Sequence, residues 1–298
     1  MLVRFGVDVG GTTIKIGMFN NQCELIEKCE INTDKTNNGA NILTDLCKKI
    51  NELLDKYNLT KNECLGVGIG LPGPVTADGY ILGCVNLGWG TFNVKETVSK
   101  MLEYVPVAAF NDANMAALGE QKHGSGKGYE NVVLVTLGTG VGGGIISEGK
   151  IINGANGAAG EIGHIPVNPN ETEKCNCGKK GCLEQYASAS GVVRMTKKYI
   201  SQGRKSSYLS AVMHDENFTA KDVFDGAKKG DDVCLLVAEA LGNYLGMALA
   251  AVASVTNPDC IVIGGGVSNA GQFLINLVEK YFKEYAFLPC RNVAFKLA

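Results

Sequence analysis

The chain has 298 residues, with 28 basic against 30 acidic side chains and a formal net charge of -2. A hydrophobic fraction of 45% is that of a folded globular protein and too high for a disordered one. The near-neutral balance speaks against a nucleic-acid-binding protein, which normally carries a basic face, and the length suggests two domains or one large one.

Residues 2–9 are rich in β-formers and end at Gly10-Gly11-Thr12-Thr13. A second β-like run at 14–19 follows at once, so the opening reads as a strand–turn–strand hairpin and not as a signal peptide. Ile42, Leu46, Ile50, Leu53 and Leu54 fall at helical spacing and predict a helix over 41–57. A short buried strand is expected at 64–70, closed by Leu71-Pro72-Gly73-Pro74, and another at 105–110. A helix over 113–122 should start from Asn111-Asp112, one of which serves as its N-cap.

Past a glycine-rich link at 124–128 the theme restarts. A strand at 132–136, a glycine turn at 138–144 and a strand beginning at Ile145-Ile146 repeat the opening unit. Helices follow at 190–202, 221–229 and 233–255. A strand at 260–263 enters Gly264-Gly265-Gly266, then come a helix over 273–285 and a β-like stretch at 293–295. The repeated unit favours two related α/β domains, 1–122 and 123–298, with a cleft between them. The most apolar stretch, 245–255, is about half the length a bilayer needs, so no membrane span is expected.

Eight of the 11 cysteines are scattered, at positions 23, 29, 47, 64, 84, 234, 260 and 290. They read as small buried hydrophobes in a reducing cytoplasm. The other three, Cys175, Cys177 and Cys182, form a tight cluster. With His164 they match a closed, structural Cys3His zinc site; His123 and His214 are the competing histidines, and free thiols or a redox pair are the alternatives.

Gly138-x-Gly140-x-x-Gly143 and Gly68-x-Gly70-x-x-Gly73 both match a dinucleotide fingerprint in form. That fingerprint needs a helix directly after the glycines, and neither match has one. Asp8 and the 10–13 turn have another use. Exposed backbone N–H groups with the Thr12 and Thr13 hydroxyls suit phosphate oxygens, Asp8 suits Mg²⁺, and Lys15 adds charge. The same residues also fit a plain hairpin turn. The companion turn Gly138-Thr139-Gly140 favours the first reading, because two facing phosphate turns make the ATP site of actin-like and hexokinase-like ATPases.

The motifs GVDVGGTTIKIG (6–17), GIGLPGPV (68–75), NLGW (86–89), NDANMAALGE (111–120), LGTGVGGGI (137–145), GAAGEIGHIPV (157–167), CNCGKKGCLEQYAS (175–188) and NPDCIVIGGGVS (257–268) run through almost the whole chain. In this order they resemble the ROK family of sugar kinases and repressors, and within it the bacterial glucokinases. The resemblance implies a two-domain actin-like fold with a small zinc-binding loop at 164–184. It implies transfer of the ATP γ-phosphoryl to the 6-hydroxyl of glucose in the cytoplasm, with Mg²⁺ as cofactor and Asp112 as general base. The resemblance places Asn111, Glu161, His164 and Glu184 at the sugar, with Gly73 and Asn86 in the same pocket. Taken alone, Glu161 and His164 could be a metal pair, and Glu184 a solvated carboxylate. The turns at Gly10, Gly11, Gly138 and Gly140 are expected to grip phosphates, and Gly264, Gly265 and Gly266 to meet the nucleotide near adenosine. Another hexose, such as N-acetylmannosamine, is the alternative substrate. A sugar-responsive repressor is the alternative class, but such members carry a DNA-binding segment ahead of the first strand. Dimers are common in the family, so a homodimer is expected, with no nucleic-acid or membrane partner. Members also continue beyond the strand that 293–295 resembles into a last helix that closes the N-terminal domain. This chain stops at Lys296-Leu297-Ala298, so the first domain is expected to show an exposed apolar face.

Overall fold

In the computed structural model, which describes residues 1–212 and 217–298, the chain gathers into two units. One is Met1–Met115 with Asn153–Ala159; the other is Ala116–Ile152 with Gly160–Ala298. His214, named above as a competing zinc ligand, lies outside the described residues.

The first unit opens on β1 (Val3–Val9), which turns into the antiparallel β2 (Thr13–Asn20) with Val9 opposite Ile14. β3 (Leu25–Asn32) pairs antiparallel with β2. A kinked turn, α1 (Thr36–Gly39), leads to α2 (Ile42–Lys56). β4 (Cys64–Leu71) runs parallel to β1, a hairpin of β5 (Tyr80–Cys84) and β6 (Trp89–Asn93) follows, then α3 (Val94–Met101). β7 (Val107–Asn111) completes the sheet, whose order is β3-β2-β1-β4-β7.

Alternation along β1 buries Val3, Phe5, Val7 and Val9 and exposes Arg4 and Asp8. The buried set packs with Leu46, Ile50 and Leu53 of α2, which recur every three or four residues and so share one helix face. On the other face the register lines up Gly17, Gly6, Gly68 and Ala108 across four strands. A Cβ added at Gly68 would meet Met115 Cε at 3.3 Å, so the start of α4 (Asp112–His123) rests on this flat strip.

The second unit repeats the plan. β8 (Val132–Leu137) and β9 (Val141–Ser147) form an antiparallel pair joined by a three-residue turn, and β10 (Lys150–Ile151) pairs with β9. Helices α5 (Glu184–Ala187), α6 (Ala189–Ser201), α7 (Ser207–Val212), α8 (Ala220–Lys228) and α9 (Asp232–Thr256) follow. β11 (Cys260–Gly264), α10 (Gln272–Tyr285) and β12 (Ala294–Leu297) end the chain. The sheet order, β10-β9-β8-β11-β12, again sets two antiparallel neighbours on one side and parallel strands on the other.

Three local readings change. β9 starts at Val141, four residues before the expected strand, so the turn is only 138–140. Strand geometry accepts these glycines because another segment presses on them: a Cβ at Gly143 would meet the Gly160 carbonyl oxygen at 2.5 Å. Of the scattered cysteines, Cys23 is exposed and Cys29 half-buried, while the other six are buried. The apolar stretch at 245–255 belongs to the 25-residue α9, which by length and composition could cross a membrane. Much of it is instead core, with Val237, Leu241, Leu245 and Leu249 fully buried.

Candidate active site

In the first unit the chemistry-bearing residues collect where the parallel strands β1, β4 and β7 end. The register sets Asp8 beside Gly70 and Leu71 beside Asn111, so the 10–13 turn, Gly73 and Asp112 all follow the same sheet edge. Ligands of α/β sheets sit at such carboxyl ends. Lys15 lies directly across from Asp8 on β2. The turn is braced from outside: Thr33 Oγ1 donates to the Gly10 carbonyl at 2.7 Å, and the Thr33 N–H to the Thr12 carbonyl at 2.9 Å.

Asn111 is the cap of α4. Its Oδ1 accepts from the N–H groups of Ala113 at 2.9 Å and Asn114 at 3.2 Å, and its Nδ2 donates to the Gly73 carbonyl at 3.2 Å. Asp112 Oδ1 accepts from the Ala113 N–H at 2.7 Å. Asp112 is exposed as a residue, yet surrounding protein strips enough hydration to push its carboxyl above the ordinary value. The negative charge of Asp8 pushes the same way, and the Ala113 N–H opposes both. Asn86 is exposed, on the helical turn Val85–Leu87 at the tip of the β5–β6 hairpin.

In the second unit the glycine turns end neighbouring parallel strands. Gly264 pairs in register with Thr136, and a Cβ at Gly265 would meet the Leu137 backbone at 2.6 Å, so the 264–266 turn lies against the end of β8 beside Gly138. The Gly138 N–H donates to the Gly140 carbonyl at 2.9 Å, closing that turn tightly around Thr139. Glu184 starts α5, and its Oε2 accepts from the Val141 N–H at 3.0 Å. Glu161 leads into the turn Ile162–His164, which packs on β9 through Gly163 against Val141.

His164, Cys175, Cys177 and Cys182 come together with their ligand atoms all within 4.8 Å of one another. Cys177 Sγ and Cys182 Sγ are 3.6 Å apart, and Cys175 Sγ is 3.9 Å from His164 Nδ1. Tetrahedral zinc with ordinary bond lengths sets such ligand pairs about 3.5–3.8 Å apart, so the donor set suits that metal and these two pairs come close to its spacing.

A family model described as the ROK family matches residues 4–298. The chain belongs to the ROK family. The chain is 44% identical over 284 residues to a glucokinase of Halalkalibacterium halodurans, covering 94% of this chain and 85% of that protein. It is 30% identical to a xylose repressor of Caldicellulosiruptor bescii, over 95% of this chain and 70% of that one. A solved ROK family glucokinase from Streptomyces griseus, in complex with glucose and AMPPNP, superposes with a TM-score of 0.76 at 31% identity. That match covers 99% of this chain and 93% of the other. The fold is thus the α/β ROK fold, related to the actin and hexokinase superfamily.

The ROK motifs do not reveal what braces the cysteine loop. Glu171 is buried, and its Oε2 accepts from Tyr186 Oη at 2.6 Å and Arg194 Nη2 at 3.0 Å. Its Oε1 takes the N–H groups of Thr172 and Glu173. Burial works against this charge, but these donors outweigh it and hold the carboxyl at about 2. The Tyr186 phenol, buried and facing that charge, is pushed up to about 12. In the sequence Glu171 looks like one more loop carboxylate, and only the fold brings Arg194 to it.

Proposed function

We propose that this ROK protein is an ATP-dependent hexose kinase that phosphorylates the 6-hydroxyl of glucose. The observation that carries the reading is 44% identity to a glucokinase over 94% of the chain. The carboxylate that the reaction requires is present at the end of β7.

Asp112 is the general base. Its pKa, raised by the loss of hydration around it, makes it a better proton acceptor than an ordinary aspartate. Asn111, fixed by the α4 cap and the Gly73 carbonyl, presents its amide to a sugar hydroxyl, and Gly73 and Asn86 contribute to the same sugar site. Asp8 would hold Mg²⁺, which neutralises charge on the transferring phosphoryl group. The Gly10, Gly11, Thr12 and Thr13 turn, with Lys15, receives phosphate oxygens. In the second unit Gly138, Thr139 and Gly140 do the same, and Gly264, Gly265 and Gly266 flank the adenosine.

Glu161, His164 and Glu184 read sugar hydroxyls. His164, Cys175, Cys177 and Cys182 would hold a structural zinc ion, with His164 Nε2 left for the sugar. With four protein ligands such an ion would supply a fixed cross-link and take no part in the phosphoryl transfer.

A coupled assay across a hexose panel tests the reading. Glucose should give the highest kcat/KM. ATP turnover without sugar defeats the kinase assignment, and a higher kcat/KM for N-acetylmannosamine moves it to another hexose.

A further inference from the structure

We propose that Arg194 acts through Glu171 and Tyr186 as a positioning residue, holding the zinc loop and Glu184 in the arrangement that binds sugar. The role rests on the proposed function, since it presumes Glu184 at the sugar and zinc in the loop. The geometry is a clamp. Arg194 Nη2 donates to Glu171 Oε2 and to the Gln185 carbonyl, both at 3.0 Å, while Nη1 donates to Glu173 Oε2 at 2.8 Å. One planar guanidinium therefore fixes the loop and the residue next to Glu184 together, with a directionality a lysine lacks.

The loop is tied back in the same place by Gln185. Its Oε1 accepts from the Cys182 N–H at 3.2 Å, and its Nε2 donates to the Glu173 carbonyl at 3.1 Å. Tyr186 completes the brace, accepting from Asn168 Nδ2 at 2.9 Å while donating to Glu171. Its ring contacts Arg194, 5.3 Å from the centroid, and Tyr244, 4.2 Å away centre to centre. The Glu171 side chain is only 3% exposed. A buried ion pair is a poor way to add stability alone, since apolar packing often does as well. It is a good way to fix direction, and here the Arg194 bonds to Glu171, Glu173 and Gln185 end on the zinc loop or beside Glu184.

The test uses full-length Arg194→Met, Arg194→Lys and Tyr186→Phe. Glucose KM, kcat at saturation and the rate of zinc loss to a chelator are measured for each. Partners behind metal ligands typically change affinity or activity 10–100-fold, so Arg194→Met should raise glucose KM and speed zinc loss about tenfold, with kcat within about twofold. Arg194→Lys should recover part of the loss, and Tyr186→Phe should show a smaller effect of the same kind. If Arg194→Met does not fold, the other two variants decide. Unchanged glucose KM and zinc loss in the folded variants, whatever their melting temperature, overturn the role, as does a fall in kcat alone. Wild-type protein lacking glucose turnover or zinc overturns the proposed function and this role with it. Wild-type turnover with unmoved variants overturns this role alone.

Discussion

Glu184 Oε2 accepts a hydrogen bond from the Val141 N–H at 3.0 Å, and its Oε1 lies 3.8 Å from Cys175 Sγ. One carboxylate thus joins the end of a glycine turn to the cysteine cluster. A hydrogen bond to a charged group is worth about 1.5–3 kcal/mol, or roughly 10–100-fold in binding. Glu184→Ala should raise the KM for ATP by a factor in that range as well as the KM for glucose. Glu184→Gln keeps an acceptor for Val141 and should restore the ATP term while leaving glucose impaired. Steady-state kinetics with each substrate varied checks both.

Asp112→Asn should cut turnover by about 10²–10⁴-fold, the range for loss of a general base, while glucose still binds by calorimetry. The wild-type activity should fall on acidification through a pKa above the ordinary aspartate value. Stability runs the other way. A carboxyl whose folded pKa is raised favours the fold fully below its unfolded value, and that contribution is lost as pH rises through the folded pKa. Asp112→Asn should therefore melt higher than wild type at neutral pH, with no advantage in strong acid. Equal melting curves at neutral pH would contradict the raised carboxyl of Asp112.

Glu171 has the opposite sign. Its folded value of about 2 lies below the ordinary 4.5, so its contribution is complete above 4.5 and is lost as pH falls toward 2. Glu171→Gln should be less stable than wild type at neutral pH, because Arg194 loses its buried partner and keeps only the exposed Glu173. The two melting curves should converge as pH approaches the folded value. Curves that stay parallel across that window would remove the ion pair from the account.

Freshly purified protein should carry one zinc per chain by elemental analysis. Cobalt substitution should give the visible bands of a tetrahedral thiolate site. Chelation should lower melting temperature and glucose affinity together, since the same loop carries the ligands and leads into Glu184. Protein with no bound metal and full glucose affinity would show the four side chains to be only neighbours.

Gly143→Ala forces a methyl group toward the Gly160 carbonyl and the Ile162 side chain. Overpacking of this kind costs about 1–3 kcal/mol. The displaced segment carries Glu161 and His164, so glucose KM should rise alongside the fall in melting temperature. Stability loss with wild-type KM would mean that the segment yields elsewhere.

These two glycine contacts also show where the sequence was readable. Both strand–turn–strand units stood out, because β-formers run up to each turn, alternating in β1 and continuous in β8, and glycines interrupt them. The start of β9 did not. Gly142, Gly143 and Gly144 look like turn residues until the chain around Gly160 is seen pressing on the last two. The β5–β6 hairpin was missed for a related reason: Gly83, Gly88 and Gly90 break its pattern, and its strands are five residues each. β3 is half-exposed along most of its length and lacks a clear apolar face. The cysteine loop was legible from spacing, but its brace was not, since Glu171 and Arg194 lie 23 positions apart and neither belongs to a motif.

Asn153–Ala159 belongs to the first unit, although the chain on both sides of it belongs to the second. Gly157 there sits so close to Val75 that a Cβ would meet its backbone nitrogen at 2.8 Å, and Asn153 accepts from the buried Asn114 at 3.4 Å. The first unit is therefore not a contiguous piece of gene. A fragment cut at residue 115 would expose Val75 and strand the Asn114 amide, however well its sheet formed. Anyone wishing to express, shuffle or evolve that unit alone must splice in the stretch from 153 to 159 through a linker. Recombination between homologues is constrained in the same way: a crossover between 116 and 152 pairs one parent's sheet with the other's 153–159 segment.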